Sequence, residues 1–159
     1  IMFTLGGWIL GFLLLALGFS KILGHQANPN QSVASSDSNE FKQITLTQNR
    51  RGHYVFDGEI NQKPVTFLVD TGATITSIPA HLKDQLKLNA GAAFLVSTAN
   101  GTATAYQTRL NELRMGSITL KNVRASLNPG LSDILLGMNV LKNMEMTQRG
   151  NELIIRQYR

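Results

Sequence analysis

The sequence predicts an all-β domain, a small barrel or sandwich, behind one N-terminal apolar helix. Three observations lead there. Short runs with alternating apolar residues follow one another down the chain, turn-forming residues separate them, and helical spacing is confined to brief stretches outside the N-terminus.

The first element is the apolar one. No charge occurs from Ile1 to Ser20, and the apolar run resumes after Lys21 with Ile22-Leu23. About 20 such residues match the hydrocarbon thickness of a bilayer. A cleavable export signal has a shorter apolar core and a small-x-small site, and "SKILGHQANPN" offers no convincing one. Residues 1–24 are therefore expected to be an uncleaved transmembrane anchor. Gly7-Trp8-Ile9-Leu10-Gly11 is a G-x-x-x-G, with Gly18 on the same helical face. Such faces let helices pack closely in lipid, although glycine is also simply common there. Lys21 weakly favours a cytoplasmic C-terminal side. The chain begins with Ile, so charge counting does not fix orientation. Residues 25–40, "HQANPNQSVASSDSNE", hold almost no large apolar side chain and are expected to form a flexible polar linker. Residues 41–159 are the size of one small domain.

Within that domain "FKQITLTQ" alternates imperfectly, whereas Tyr54, Phe56, Gly58 and Ile60 share one face cleanly. A hairpin turn is expected at Asn61-Gln62-Lys63, with a mainly interior return strand from Pro64 to Val69. "PAHLKDQL" predicts a short helix, with Pro79 at its first turn and Leu82 and Leu86 four apart. Asn100-Gly101 sits between two strand-like arms, the strongest hairpin signal in the chain. Gly116 predicts another turn, Ile134 to Leu136 a short buried strand breaking at Gly137 into a helix, and Arg149-Gly150-Asn151 a last hairpin.

Composition excludes some chemistry. There is no cysteine, hence no disulfide, thiolate nucleophile or thiolate metal site. The three histidines lack metal-ligand spacing, so neither metal nor other cofactor is expected. The net charge of +5 is spread without a basic run, so no nucleic-acid partner is expected.

One carboxylate stands out. In "VTFLVDTGATITSIP", Asp70 falls between an apolar strand and the small residues Thr71-Gly72-Ala73. Spacing alone leaves two readings: a turn residue bonding its own backbone, or an acid presented to a cleft. The stretch resembles the active-site loop of aspartic proteases, apolar-apolar-Asp-Thr-Gly-Ala/Ser followed by an apolar strand. "DILLGMNVL", Asp133 to Leu141, resembles the apolar-apolar-Gly strand that crosses beneath that loop in the family. "STANGTA" lies about thirty residues after Asp70, at the place of the flap hairpin. The resemblance is to the retropepsin-like group, and specifically to bacterial membrane-anchored single-lobe members.

That resemblance implies a closed, barrel-like acid-protease lobe with one or two short helices. It implies peptide-bond hydrolysis by two carboxylates sharing one proton, which cannot both ionise at close range. The chain has one D-T-G, so Asp70 would meet its twin in a homodimer. Thr71 would hydrogen-bond across the dimer axis, and Gly72 would let the substrate backbone approach. As a flap, Ser97, Thr98, Ala99, Asn100 and Gly101 would lie along a peptide or protein substrate. By analogy the site is the bacterial inner membrane, with the domain periplasmic. Ala73 stands where pepsin-like lobes often carry Ser, whose hydroxyl favours the charged carboxylate. An optimum less acidic than pepsin's is expected, and Ala73→Ser should move the pH–rate profile toward acid. Retroviral members pair an Arg after the apolar-apolar-Gly element with an acid after the loop; here Met138-Asn139 and Ile75-Thr76-Ser77 occupy those stretches. The dimer is therefore expected to differ from the retroviral arrangement. Two rival functions remain: a membrane-tethered peptide receptor of this fold, and a scaffold domain.

Overall fold

Alternating burial turns the predicted runs into strands. The computed structural model describes residues 2–98 and 101–159, with side chains for 6–97 and 101–159. In chain order the elements are α1 (Met2–Ala27), β1 (Ala34–Asp37), β2 (Phe41–Thr47), β3 (Val55–Ile60), β4 (Lys63–Val69), β5 (Thr76–Pro79), β6 (Ala93–Thr98), β7 (Gly101–Met115), β8 (Ile118–Asn128), β9 (Ile134–Leu136), α2 (Met138–Leu141), β10 (Glu145–Arg149) and β11 (Glu152–Tyr158). Seven strands pair in the order β3-β4-β9-β5-β8-β7-β6, and β3 also pairs with β7. That extra pairing, Glu59 with Arg114 and Ile60 with Leu113, closes six strands into a barrel and leaves β6 outside the ring. Closure removes two sheet edges that would otherwise expose unpaired backbone.

The expected face of β3 points inward: Phe56 and Ile60 are fully buried, and Phe56 stacks on Phe67 of β4 at 5.2 Å between ring centres. A second sheet, β1-β2-β11-β10, buries Ile44, Leu46, Leu153 and Ile155 against the same core. The β3–β4 turn is two residues, Asn61 and Gln62, both with positive φ (50° and 64°), so Lys63 already belongs to β4. Two positive-φ positions match the right-handed twist of the flanking strands.

Three expectations change. β4 is less interior than its composition implies: Phe67 alone is fully buried, while Lys63, Pro64 and Thr66 are exposed, because one face of this barrel strand lies open. The helix expected over "PAHLKDQL" is one 3-10 turn, Ala80–Leu82. Pro79 is instead the last residue of β5, aligned with Asn128 in the ladder to β8, and Lys87 ends the segment with φ at 54°.

The segment expected to be a flexible linker is docked on the domain. Asn30 is buried; its side-chain amide donates to the carbonyls of Thr47 (2.8 Å) and Val55 (2.7 Å), and its oxygen accepts from the Thr47 N–H (2.7 Å). Asn28 donates to Asp57 Oδ1 at 2.7 Å, and its own oxygen accepts from the Asn30 N–H. β1 then pairs with β2, Ser117 Oγ donates to the Ser36 carbonyl, and Arg159 pairs with Asp37. Amide side chains here satisfy backbone groups that would otherwise be unpaired under cover. Asn30→Ala is expected to destabilise the fold by about 3 kcal/mol, since three backbone groups lose their partner. Chemical denaturation of wild type and variant, side by side, measures it.

α1 is the opposite case. Trp8 (81% exposed) and Leu15 (73%) typify an apolar helix with no protein cover. Gly6–Ala27 is long and apolar enough to cross a membrane.

Candidate active site

β4 runs parallel to β9, Val69 aligned with Leu136, and the chain turns immediately after this pair. The Asp70 N–H donates to the Leu136 carbonyl at 3.1 Å, continuing the ladder by one step. Asp70 Oδ1 accepts the Gly72 N–H at 2.8 Å, and the Ala73 N–H closes the turn on the Asp70 carbonyl at 3.2 Å. The carboxylate is half-buried, with Thr71 and Gly72 exposed beside it and Ala73 half-buried. Asp70 therefore makes the local turn bond that its type favours while the residue stays partly open to solvent.

The loop is strapped from below. The Met138 N–H donates to the Ala73 carbonyl (2.7 Å) and the Asn139 N–H to the Thr74 carbonyl (3.1 Å). These bonds use the first N–H groups of α2, which have no partner inside the helix. Gly137, where β9 passes beneath, lies so close that an added Cβ would come within 2.5 Å of the Ile75 carbonyl carbon.

Asn139 was legible in the sequence only as a departure from the retroviral ion pair. In the structure its Oδ1 accepts from both the Thr76 N–H (2.8 Å) and the Thr76 hydroxyl (3.0 Å), while its Nδ2 donates to the Arg124 carbonyl (2.7 Å). Thr76 is fully buried and in turn accepts the Gly137 N–H at 3.2 Å. One neutral amide thus ties the outgoing arm of the loop, the β9–α2 junction and β8. Asn139→Ala is expected to lower stability by about 2–3 kcal/mol, because buried Thr76 loses acceptors for two donors. A serine or threonine hydroxyl cannot replace both ends of the amide, so Asn139→Ser should recover little. Thermal unfolding of the two variants checks both points.

The same chain brings no second carboxylate to Asp70 among the residues that flank it. Asp57 aligns with Thr66 of β4, and Asp133 directly precedes the Phe67–Ile134 pair. Both lie four residues back along β4, about 13 Å at the rise of an extended strand. Asp57 is also occupied by Asn28 and by the Thr66 hydroxyl, 2.7 Å each.

Three of the other predicted site residues lie on the β6–β7 hairpin. Ser97 is exposed on β6, paired with Thr102; Thr98 ends β6, paired with Gly101, which opens β7 with φ at +110°. Ala99 and Asn100 lie outside the described residues. In sheet order β6 is separated from β5, the strand following the Asp70 loop, by β7 and β8.

Comparison with known proteins agrees with this architecture. A retropepsin-like aspartic protease from Rickettsia conorii superposes with a TM-score of 0.62 at 22% identity, over 80% of this chain and 95% of that one. The EIAV protease complexed with the inhibitor HBY-793 superposes at 0.51 and 20% identity, over 61% of this chain and 92% of that one. At such identities the likeness is one of fold, which is retropepsin-like. Among curated sequences, an uncharacterized protein in the cobV 5' region of Sinorhizobium sp is 32% identical over 145 residues, 87% of this chain and 62% of that protein. The uncharacterized protein RP867 of Rickettsia prowazekii is 26% identical over 98% of this chain and 71% of its own length. The chain thus spans about three-fifths of the length of the Sinorhizobium relative. The profile of the family described as "gag-polyprotein putative aspartyl protease" matches residues 56–143, from Phe56 of β3 through the Asp70 loop to just past α2, and the chain belongs to that family.

Proposed function

We propose that this chain is a membrane-anchored aspartic endopeptidase that hydrolyses peptide bonds as a homodimer, with Asp70 as the catalytic residue of each protomer. The observation that carries it is the half-buried Asp70 on a loop fixed by backbone bonds to the β9–α2 junction, with the neighbouring acids Asp57 and Asp133 both set back four residues along β4. Such a site is half of a two-carboxylate centre. Two carboxylates about 3 Å apart share one proton: the ionised one takes a proton from water, and the protonated one donates to the carbonyl oxygen as that water attacks. A two-fold axis beside Asp70 supplies the second acid with the same geometry. Thr71 and Gly72, exposed at the loop, would face the partner and the substrate backbone. The β6–β7 hairpin, with Ser97, Thr98, Ala99, Asn100 and Gly101, would cover an extended peptide.

Membrane anchoring rests on the uncovered apolar surface of α1. Held in one bilayer, two protomers meet at a raised effective concentration. The ordered contacts of Asn28 and Asn30 make residue 28, not 41, the sensible start of an anchor-free fragment. By the resemblance to bacterial membrane-anchored members, the domain would face the periplasmic side of the inner membrane, and a C-terminal reporter active only after export checks that side.

The test uses the full chain in lipid nanodiscs, a mixed peptide library at several pH values, and pepstatin as competitor. Pepstatin-sensitive cleavage is expected. Peptide binding without cleavage would favour the receptor, and neither would favour the scaffold.

A further inference from the structure

Beside the Asp70 loop, and separate from it, lies a cationic depression of about 390 Å³ whose walls include Ile75, Lys87, Arg109 and Arg124. Ile75 is five residues past Asp70, and the Gln107 stretch of the opposite wall forms the base of the β6–β7 hairpin. Arg109 of β7 and Arg124 of β8 stand directly opposite one another in the ladder. Like charges so placed weaken a strand pair. The residues two places along each strand on that face are Gln107, Asn111, Asn122 and Ser126, none of them acidic.

Arg114 is compensated by Glu59 and Glu112, Arg156 by Glu145 and Arg159 by Asp37, whereas Arg50 and Arg51 lie together on the loop before β3 and Arg50 bonds the Gln26 side chain. Among the described residues Lys87, Arg109 and Arg124 have no ion-pair partner. Arg109 uses one Nη on the Asn122 carbonyl, 2.9 Å away, and keeps its remaining donors. Three cations around one concavity focus positive potential there. Arg124 is also held in register with the catalytic-type loop, because its carbonyl accepts the Asn139 amide that grips Thr76.

We propose that this depression is a specificity subsite that takes an acidic side chain, Asp or Glu, of the peptide substrate at a position removed from the scissile bond. The proposal rests on the endopeptidase reading above and adds its substrate class. An extended peptide covered by the β6–β7 hairpin and crossing Asp70 passes Ile75 on its way out. A carboxylate leaning off that strand meets the guanidinium groups, where charge-assisted and bidentate bonds are available.

The experiment uses the full chain in zwitterionic nanodiscs and a cleavable peptide set in which one Glu is moved along an otherwise neutral sequence. One position is expected to raise kcat/KM about tenfold over its Gln counterpart, mainly through KM and fading at high salt. Arg124→Glu should remove that preference and transfer it to a Lys peptide, and Lys87→Gln should weaken it. Arg109→Gln should weaken it too, with a thermal midpoint equal to or above wild type because the repulsion across the ladder is relieved. Cleavage with no Glu position preferred overturns the subsite and leaves the protease reading standing. If nothing is cleaved, fluorescence anisotropy with the same peptides separates the two ideas: Glu-selective binding lost in Arg124→Gln keeps the subsite while the protease reading falls, and unselective binding overturns it. Arginine variants that change only binding to phosphatidylglycerol vesicles or single-stranded nucleic acid also overturn it.

Discussion

Asp70→Asn is expected to abolish peptide hydrolysis, by on the order of 10⁴-fold in kcat/KM, while leaving the fold intact. The loss follows from the proton inventory. A neutral amide can neither take a proton from water nor return one to the carbonyl oxygen, so both halves of acid–base catalysis fail together. The fold is spared for a local reason: the side chain's bond in the structure is Oδ1 accepting the Gly72 N–H at 2.8 Å, and asparagine keeps that oxygen. Stability should stay within about 0.5 kcal/mol of wild type, as for surface changes that break no partner. Parallel thermal unfolding and peptide-cleavage rates make the comparison. Mixing sharpens it, because a shared site makes the variant poisonous. When wild type and Asp70→Asn exchange subunits in equal amounts, about half of the wild-type protomers end in mixed pairs. Activity per wild-type protomer should then fall to about half; no fall would mean that each protomer works alone.

What the sequence disclosed and what it hid divide along a physical line. Elements specified by apolar alternation were legible: Phe56 and Ile60 facing inward on β3, the short buried β9, and the turns at Asn61-Gln62 and Gly116. The Asp70 loop was legible because its residue types are constrained by backbone approach as well as by chemistry. Polar residues that stand in for backbone were not. Asn30 looks like linker composition until the strands it clamps, β2 and β3, are brought together in space, seventeen and twenty-five residues away in sequence. Asn139 reaches Thr76 across sixty-three residues, and nothing in its own neighbourhood announces the contact. The expected helix after Pro79 failed for a related reason. Leucine spacing suggested a helical face, but Leu86 reaches the core through a 3-10 turn and the hydrogen-bonded turns that follow it, since Pro79 is still in the β5–β8 ladder. Tertiary pairing overrode local spacing there.

Gly137→Ala should be among the most damaging small substitutions in the domain. Its backbone, φ −92° and ψ 175°, is one that any residue adopts, so conformational freedom is not what glycine supplies. The requirement is space. A methyl group would stand 2.5 Å from the Ile75 carbonyl carbon, 2.7 Å from the Thr76 nitrogen and 2.8 Å from the Ile75 oxygen. All three are backbone atoms, so no rotamer change relieves the contact and either β9 or the loop must move. Overpacking of this kind costs about 3 kcal/mol, near 10 °C in thermal midpoint for a domain of this size. Movement of the loop also displaces Asp70, which hangs from Leu136 next to the strained point. A displacement of about 1 Å at a reacting group costs on the order of 100-fold in rate, so kcat should fall even in the molecules that remain folded at low temperature. Gly72→Ala supplies the contrast: its added methyl meets Asp70 Oδ1 at 3.2 Å, a side-chain atom on an exposed loop. That variant should keep its thermal midpoint and lose rate alone. Equal midpoints for both variants would mean that β9 does not press against the loop as closely as the crossing at Gly137 requires.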